Sequence, residues 1–123
     1  MNINLPLAVL FFLLFAESAS AQITVAVLDL DAEGVTKPEA NLITDRLRTQ
    51  LFTTSRFVVI EREKMANILK EQDFQLSDCA SNECAVQIGQ LLGAKQIVVG
   101  KVGKIGTLYT LNVRLVDVQS GVV

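Results

Sequence analysis

The sequence has no histidine and no tryptophan, a single tyrosine and only two cysteines among 123 residues. Each shortage closes a route. Without histidine the commonest general base is missing, and no serine stands in a Gly-x-Ser-x-Gly turn, so serine-hydrolase chemistry has no visible parts. A structural zinc site takes four ligands, and two thiols are the only soft donors available. Basic residues do not dominate either: 11 Lys and Arg against 13 Asp and Glu give a formal charge of −2. That balance argues against a nucleic-acid groove, which needs a basic face, and equally against an anionic membrane surface.

What is present begins with a leader. "MNINLPLAVLFFLLFAESASAQ" carries an apolar run from Leu5 to Ala16, broken only by Pro6, and then the small residues Ala19, Ser20 and Ala21. This is the layout of a secretory signal peptide, although no Lys or Arg precedes the run. The run is about a dozen residues long, short of the roughly 20 that a spanning helix needs. Cleavage is expected between Ala21 and Gln22. It would leave one domain, residues 22–123, with all 11 basic residues and 13 − 1 = 12 acids.

Export bears on the cysteines. Cys79 and Cys84 lie five positions apart in "DCASNECAVQ", a spacing with four intervening residues where thioredoxin-like redox motifs have two. In an oxidising compartment such a pair is expected as a disulfide, holding the loop that enters the next helix. A pair of reduced buried thiols is the alternative if the chain is not exported.

The mature chain alternates. "ITVAVLDL" (Ile23 to Leu30) reads as a continuous strand buried on both faces. A helix follows from about Lys37 to Thr53, with Thr36 and Glu39 spaced as a capping box and Pro38 in the first turn. Ala40, Ile43, Leu47 and Leu51 form its inward stripe, while Arg46, Arg48 and Thr49 point elsewhere. Phe57 to Ile60 is a second strand, and Met65, Ile68, Leu69 and Gln72 share a stripe on a second helix. Ser81 is placed to cap a third helix from about Asn82, with Ala85, Ile88, Leu91 and Leu92 inward and Gly93 as its left-handed stop. "KQIVVGKV" is the third strand. "LYTLNVRL" alternates apolar and polar with the period of a half-exposed fourth strand, antiparallel across "GKIG", where Gly103 and Gly106 are expected to make the turn.

The resulting plan is α/β: β-α-β-α-α-β-β, a mostly parallel four-stranded sheet in the order 2-1-3-4 with its last strand antiparallel and helices on both faces. The end, "VDVQSGVV", reads as a strand, a turn at Gln119 to Gly121 and the first residues of another strand, so the domain is expected to be truncated there.

Three blocks, "VAVLDLDAEG", "RFVVIERE" with the helix behind it, and "ECAVQIGQLLGAKQIVVGKV" leading to "VDVQSG", resemble the CsgG family of curli production assembly and transport proteins. The chain is similar, more distantly, to the amino-terminal domain of TolB and to outer-membrane activators of penicillin-binding proteins. The resemblance covers nearly all of the mature chain. It implies a periplasmic, outer-membrane-associated module without catalysis or cofactor, working by assembling with itself as a homo-oligomer or with protein partners in the cell envelope. Two features depart from CsgG itself: no cysteine for lipid attachment follows the leader, and about 100 residues leave no room for pore-forming hairpins.

One enzymatic reading competes. Asp29 and Asp31 stand two apart at the carboxyl end of the first strand, where haloacid-dehalogenase phosphatases place a nucleophile and a general acid, and where parallel sheets bind ligands. Against it, the second strand ends in Ile60-Glu61-Arg62 rather than a Ser or Thr, and no later acidic pair follows a strand. The plainer reading makes Asp29 or Asp31 a cap for backbone amides.

Overall fold

The computed structural model describes residues 21–73 and 81–123. The leader up to Ser20, and Cys79 with it, lie outside the described residues. Elements follow in the order β1 (Ile23–Val27), β2 (Asp31–Glu33), α1 (Lys37–Thr53), β3 (Phe57–Val59), α2 (Arg62–Glu71), α3 (Asn82–Leu92), β4 (Gln96–Ile105) and β5 (Leu108–Asp117).

Four of these strands lie side by side as β3, β1, β4 and β5, with β1 parallel to both of its neighbours and β5 antiparallel to β4. This is the order expected for four strands. The fifth, β2, was not foreseen. It runs parallel to β4 from Asp31↔Lys101 to Glu33↔Gly103. Because β5 fills one edge of β4 along its whole length, β1 and β2 must share the other, end to end. The strand expected as one piece from Ile23 to Leu30 is therefore interrupted.

The helices divide as the topology requires. Leu28, Met65, Leu69, Ala85, Ile88, Leu92, Ile97, Val99 and Val116 make one core between the sheet and α2 with α3. On the opposite face, Val25, Val27 and Val98 pack with Leu47 and Leu51 of α1, and Ala40 and Ile43 pack near Leu30 and Val102. Right-handed crossovers between parallel strands put α1 on one side and α2 and α3 on the other.

Local sequence sets the helix ends. Thr36 Oγ1 accepts from the Glu39 amide at 3.3 Å, and Pro38 occupies the first turn of α1. Ser81 Oγ accepts from the Cys84 amide at 3.1 Å, and Gly93 stops α3 with φ +68°. Two residues depart from their expected stripes: Gln72, at the carboxyl end of α2, is exposed, and Leu91 is 36% exposed on the outer side of α3. Gly89 takes the place inward of Leu91, because a Cβ there would lie 2.5 Å from Val118 Cγ2.

The hairpin turn is tighter than expected. Ile105 pairs with Leu108, leaving Gly106 and Thr107 as a two-residue loop with Gly106 at φ +59°. A positive φ at the first loop position is what a twisted two-residue hairpin needs. Gly103 is not in the turn. It lies within β4 opposite Thr110, whose Oγ1 would be 2.6 Å from a Cβ at that position.

Candidate functional site

The interruption between β1 and β2 organises the most polar interior of the molecule. Val27 pairs with Val98 and Asp31 with Lys101, so Leu28, Asp29 and Leu30 oppose only Val99 and Gly100. One extra residue makes this a β-bulge, which leaves backbone groups without ladder partners. Side chains of α1 supply them. Thr44 Oγ1 accepts from the Leu30 amide at 3.1 Å while donating to the Ala40 carbonyl at 2.8 Å. Arg48 donates to the Val27 carbonyl from Nε at 3.2 Å and from Nη2 at 2.6 Å.

Arg48 then continues to Asp29. Its Nη2 lies 3.0 Å from Asp29 Oδ1, and its Nη1 2.7 Å from Asp45 Oδ1. From the amino end of α2, Arg62 closes on the same carboxylate: Nε at 3.1 Å from Oδ1 and Nη2 at 2.7 Å from Oδ2. Asp29 is 7% and Arg48 8% exposed, whereas the Arg62 side chain is about half exposed. Burial alone would push the Asp29 carboxyl up. Hydrogen bonds from Arg62 and then Arg48, with the charges of both, outweigh it and hold the group below the ordinary aspartate value. The same contact raises Arg62.

The structure thus corrects two expectations. Asp29 serves guanidinium groups rather than backbone amides, and Arg48 points inward. The signal for Arg48 was available: the buried row of α1 is Ala40, Thr44 and Arg48, spaced four apart, so its polar members share the face of an inward alanine. Thr44 is fully buried. Thr44→Val keeps the shape but strips the Leu30 amide of its acceptor, and should cost about 1–3 kcal/mol in chemical unfolding, against roughly nothing for Thr49→Val on the exposed side.

As chemistry, the cluster is a lock. Asp29 Oδ1 accepts from both arginines and Oδ2 from Arg62, which neutralises the carboxylate and stabilises the anion against nucleophilic use. Asp31 is exposed in β2, beside Lys101. Among the described residues no group of three His, Cys, Asp or Glu is disposed to hold a metal ion, and no helix is long and apolar enough to cross a membrane. Ala21 and Gln22 are exposed ahead of β1, and Cys84 is half-buried in the first turn of α3.

The remaining features are surfaces. Beside β3, at one margin of the sheet, Phe52 is 69% and Val58 47% exposed. A depression of about 310 Å³ lined by Arg48, Phe52, Val59 and Ile60 lies on the α1 side, and one of about 460 Å³ lined by Val58, Lys64 and Leu92 on the other. At the opposite margin β5 turns Tyr109, Leu111, Val113 and Leu115 outward on the α1 side, where they stay 39–51% exposed and the Tyr109 hydroxyl donates to Glu39 Oε2 of α1 at 3.3 Å. Its alternation is the expected one, but the apolar face is the uncovered face. A turn that the sequence marked without its mechanism closes the strand: Asp117 Oδ1 accepts from the amides of Gln119 and Ser120 at 3.0 and 2.9 Å, Gly121 adopts φ +74°, and the Asp117 amide donates to the Val122 carbonyl at 2.9 Å. These bonds hold Asp117 below the ordinary carboxyl range.

The three distinctive blocks of sequence meet in this arrangement. "VAVLDLD" joins "RFVVIERE" through Asp29 and Arg62, and Gly89 of "ECAVQIGQLLGA" seats Val118 of "VDVQSG". The family model described as "Curli production assembly/transport component CsgG" matches residues 7–108. The chain belongs to the CsgG family. No curated protein matches it at a comparable level. Among solved structures it is similar to "NMR structure of E. coli LpoB", with TM-score 0.67 and 18% identity over 85% of this chain and 54% of that one. The LpoB carboxyl-terminal domain from Salmonella enterica gives 0.64 and 19%, over 93% and 85%. Lipoprotein GNA1162 from Neisseria meningitidis gives 0.65 and 17%, over 81% and 73%. At these identities the likeness is one of fold. The CsgG-family chain spans about half of the LpoB chain determined by NMR.

Proposed function

We propose that this protein is a non-catalytic module of the bacterial periplasm, associated with the outer membrane, that acts by binding other envelope proteins in assembly or transport of the CsgG kind. The family match over residues 7–108 carries the reading. The Asp29 cluster supports its non-catalytic part, since the carboxylate that follows β1 is held by two arginines. The reading includes cleavage between Ala21 and Gln22 and a Cys79–Cys84 bridge, formed in the oxidising compartment that the leader addresses.

A second reading, a regulator of a cell-wall synthase, is favoured by the likeness to the LpoB structures. Crosslinking in living cells followed by affinity purification from the envelope separates the two. Recovery of secretion or fibre-assembly components supports the first, and recovery of a peptidoglycan synthase the second. A protein that stays in the cytosol with its leader intact and both thiols free by intact mass would remove the envelope role. Phosphoester turnover with magnesium that Asp29→Asn abolished would restore the enzymatic alternative; no such turnover is expected.

A further inference from the structure

The sheet leaves Gln22 just outside its ladder. The Ile23 amide donates to the Arg56 carbonyl at 3.1 Å, and the parallel pairing of β1 with β3 begins at Ile23↔Phe57. Gln22 precedes this pair and is exposed. Its side chain makes one hydrogen bond, from Nε2 to the Ser55 carbonyl at 3.0 Å, at a surface where water competes for both groups. Removal of the leader between Ala21 and Gln22, part of the proposed function and the premise here, turns the Gln22 main-chain nitrogen into a free amine. The ordinary pKa of such an amine is about 7.7–8.0, so part of it is uncharged and nucleophilic at neutral pH. The same residue carries the electrophile, because Cδ of a glutamine side chain reaches its own main-chain nitrogen in a five-membered ring.

We infer that Gln22 of the mature chain is a modification site that closes to a pyroglutamyl lactam. The main-chain nitrogen attacks Cδ and forms the N–Cδ bond. The Cδ–Nε2 bond breaks, and Nε2 leaves as ammonia, carrying the proton that the attacking nitrogen gives up. No oxidant, reductant or second substrate enters the balance. Within the fold, closure gives up only the exposed bond to Ser55, while the Ile23 amide keeps its place on Arg56.

The surroundings favour the ring over the open form. Gln22 borders a depression of about 340 Å³ walled by Phe52, Phe57, Val58 and Val59, with no acidic side chain in its lining. The exposed Arg56 follows Ser55 and carries the same sign as a terminal ammonium. An ammonium at this margin thus meets apolar surface and like charge, whereas the lactam is neutral. The ring also shields the fold. β1 is flanked on both sides, by β3 and β4, and begins one residue after Gln22. An aminopeptidase that removed Gln22 would next reach Ile23, and a lactam offers it no free amine.

The chain expressed with its leader, purified from the expressing cell and incubated at neutral pH, tests it by amino-terminal sequencing and by intact mass after thiol reduction. The expected mass is that of residues 22–123 less one ammonia. Sequencing should be blocked, and pyroglutamyl aminopeptidase should reopen it at Ile23. Gln22→Asn, whose shorter side chain cannot close this ring, should keep its full mass and read from residue 22. It should also lose that residue to a general aminopeptidase that leaves the parent intact. A chain cut after Ala21 that keeps its full mass and an open Gln22 overturns the inference and leaves the leader reading standing. A mass that includes the leader overturns both. Equal loss of ammonia from Gln22→Asn also overturns the inference, by placing the loss on another amide.

Discussion

Arg48→Ala should destabilise the domain by about 3–5 kcal/mol, a large share of the 5–15 kcal/mol typical of whole domains. The guanidinium is 8% exposed and meets Asp29, Asp45 and the Val27 carbonyl at once. Its removal leaves a buried carboxylate with one arginine instead of two and a buried carbonyl without its donors. In urea the unfolding midpoint should fall by about 2 M, taking a slope of about 2 kcal/mol/M. Arg46→Ala, two residues away and exposed, should stay within about 0.5 kcal/mol of the parent. Equal behaviour of the two variants would show that the cluster locks nothing.

The same cluster sets an acid response. The folded-state value of Asp29 lies below its unfolded value of about 3.9. A depressed carboxyl contributes stability that is fully present above the unfolded value and is lost as the pH falls through it toward the folded one. The unfolding midpoint should therefore drop below about pH 4, and part of that drop should vanish in Asp29→Asn, which starts from a lower plateau.

Gly100→Ala should cost about 3 kcal/mol and lower the melting temperature by roughly 15 °C. Gly100 pairs with Val113, and a Cβ there would stand 2.2 Å from the Asn112 carbonyl oxygen and 2.7 Å from Val113 Cα. Both are backbone atoms of the partner strand, so no rotamer change relieves the overlap and β5 must move off β4. Gly103→Ala meets the rotatable Thr110 hydroxyl instead and should cost less. Hydrogen exchange across β4 and β5 checks the mechanism: protection should fall there first in Gly100→Ala, and unaltered protection with an unchanged melting temperature would refute it.

Much of this fold was legible because its signals are local. Thr36, Pro38, Ser81 and Gly93 mark helix ends through bonds to their own neighbours, and continuous β-branched runs mark strands covered on both faces. The bulge at Leu28 to Leu30 left no such trace, since its extra residue is defined only by register against Val99 and Gly100, some 70 positions later. Arg48 was misplaced for a related reason. A charged residue on a helix reads as outward unless its partners are known, and Asp29 and Val27 belong to another element. For Asp29, spacing reveals a carboxylate at a strand end but not the two arginines that reach it.

The pairing of β1 has a consequence for how the chain comes together during synthesis. Val25 lies against Gln96, so the first strand to be made is flanked by one of the last. Until β4 emerges, only β3 can lie beside β1, over three residue pairs, and Val25, Ala26 and Val27 have no complete layer to enter. A nascent chain therefore carries these three apolar residues without a complete layer until β4 has been made, and the centre of the sheet closes late.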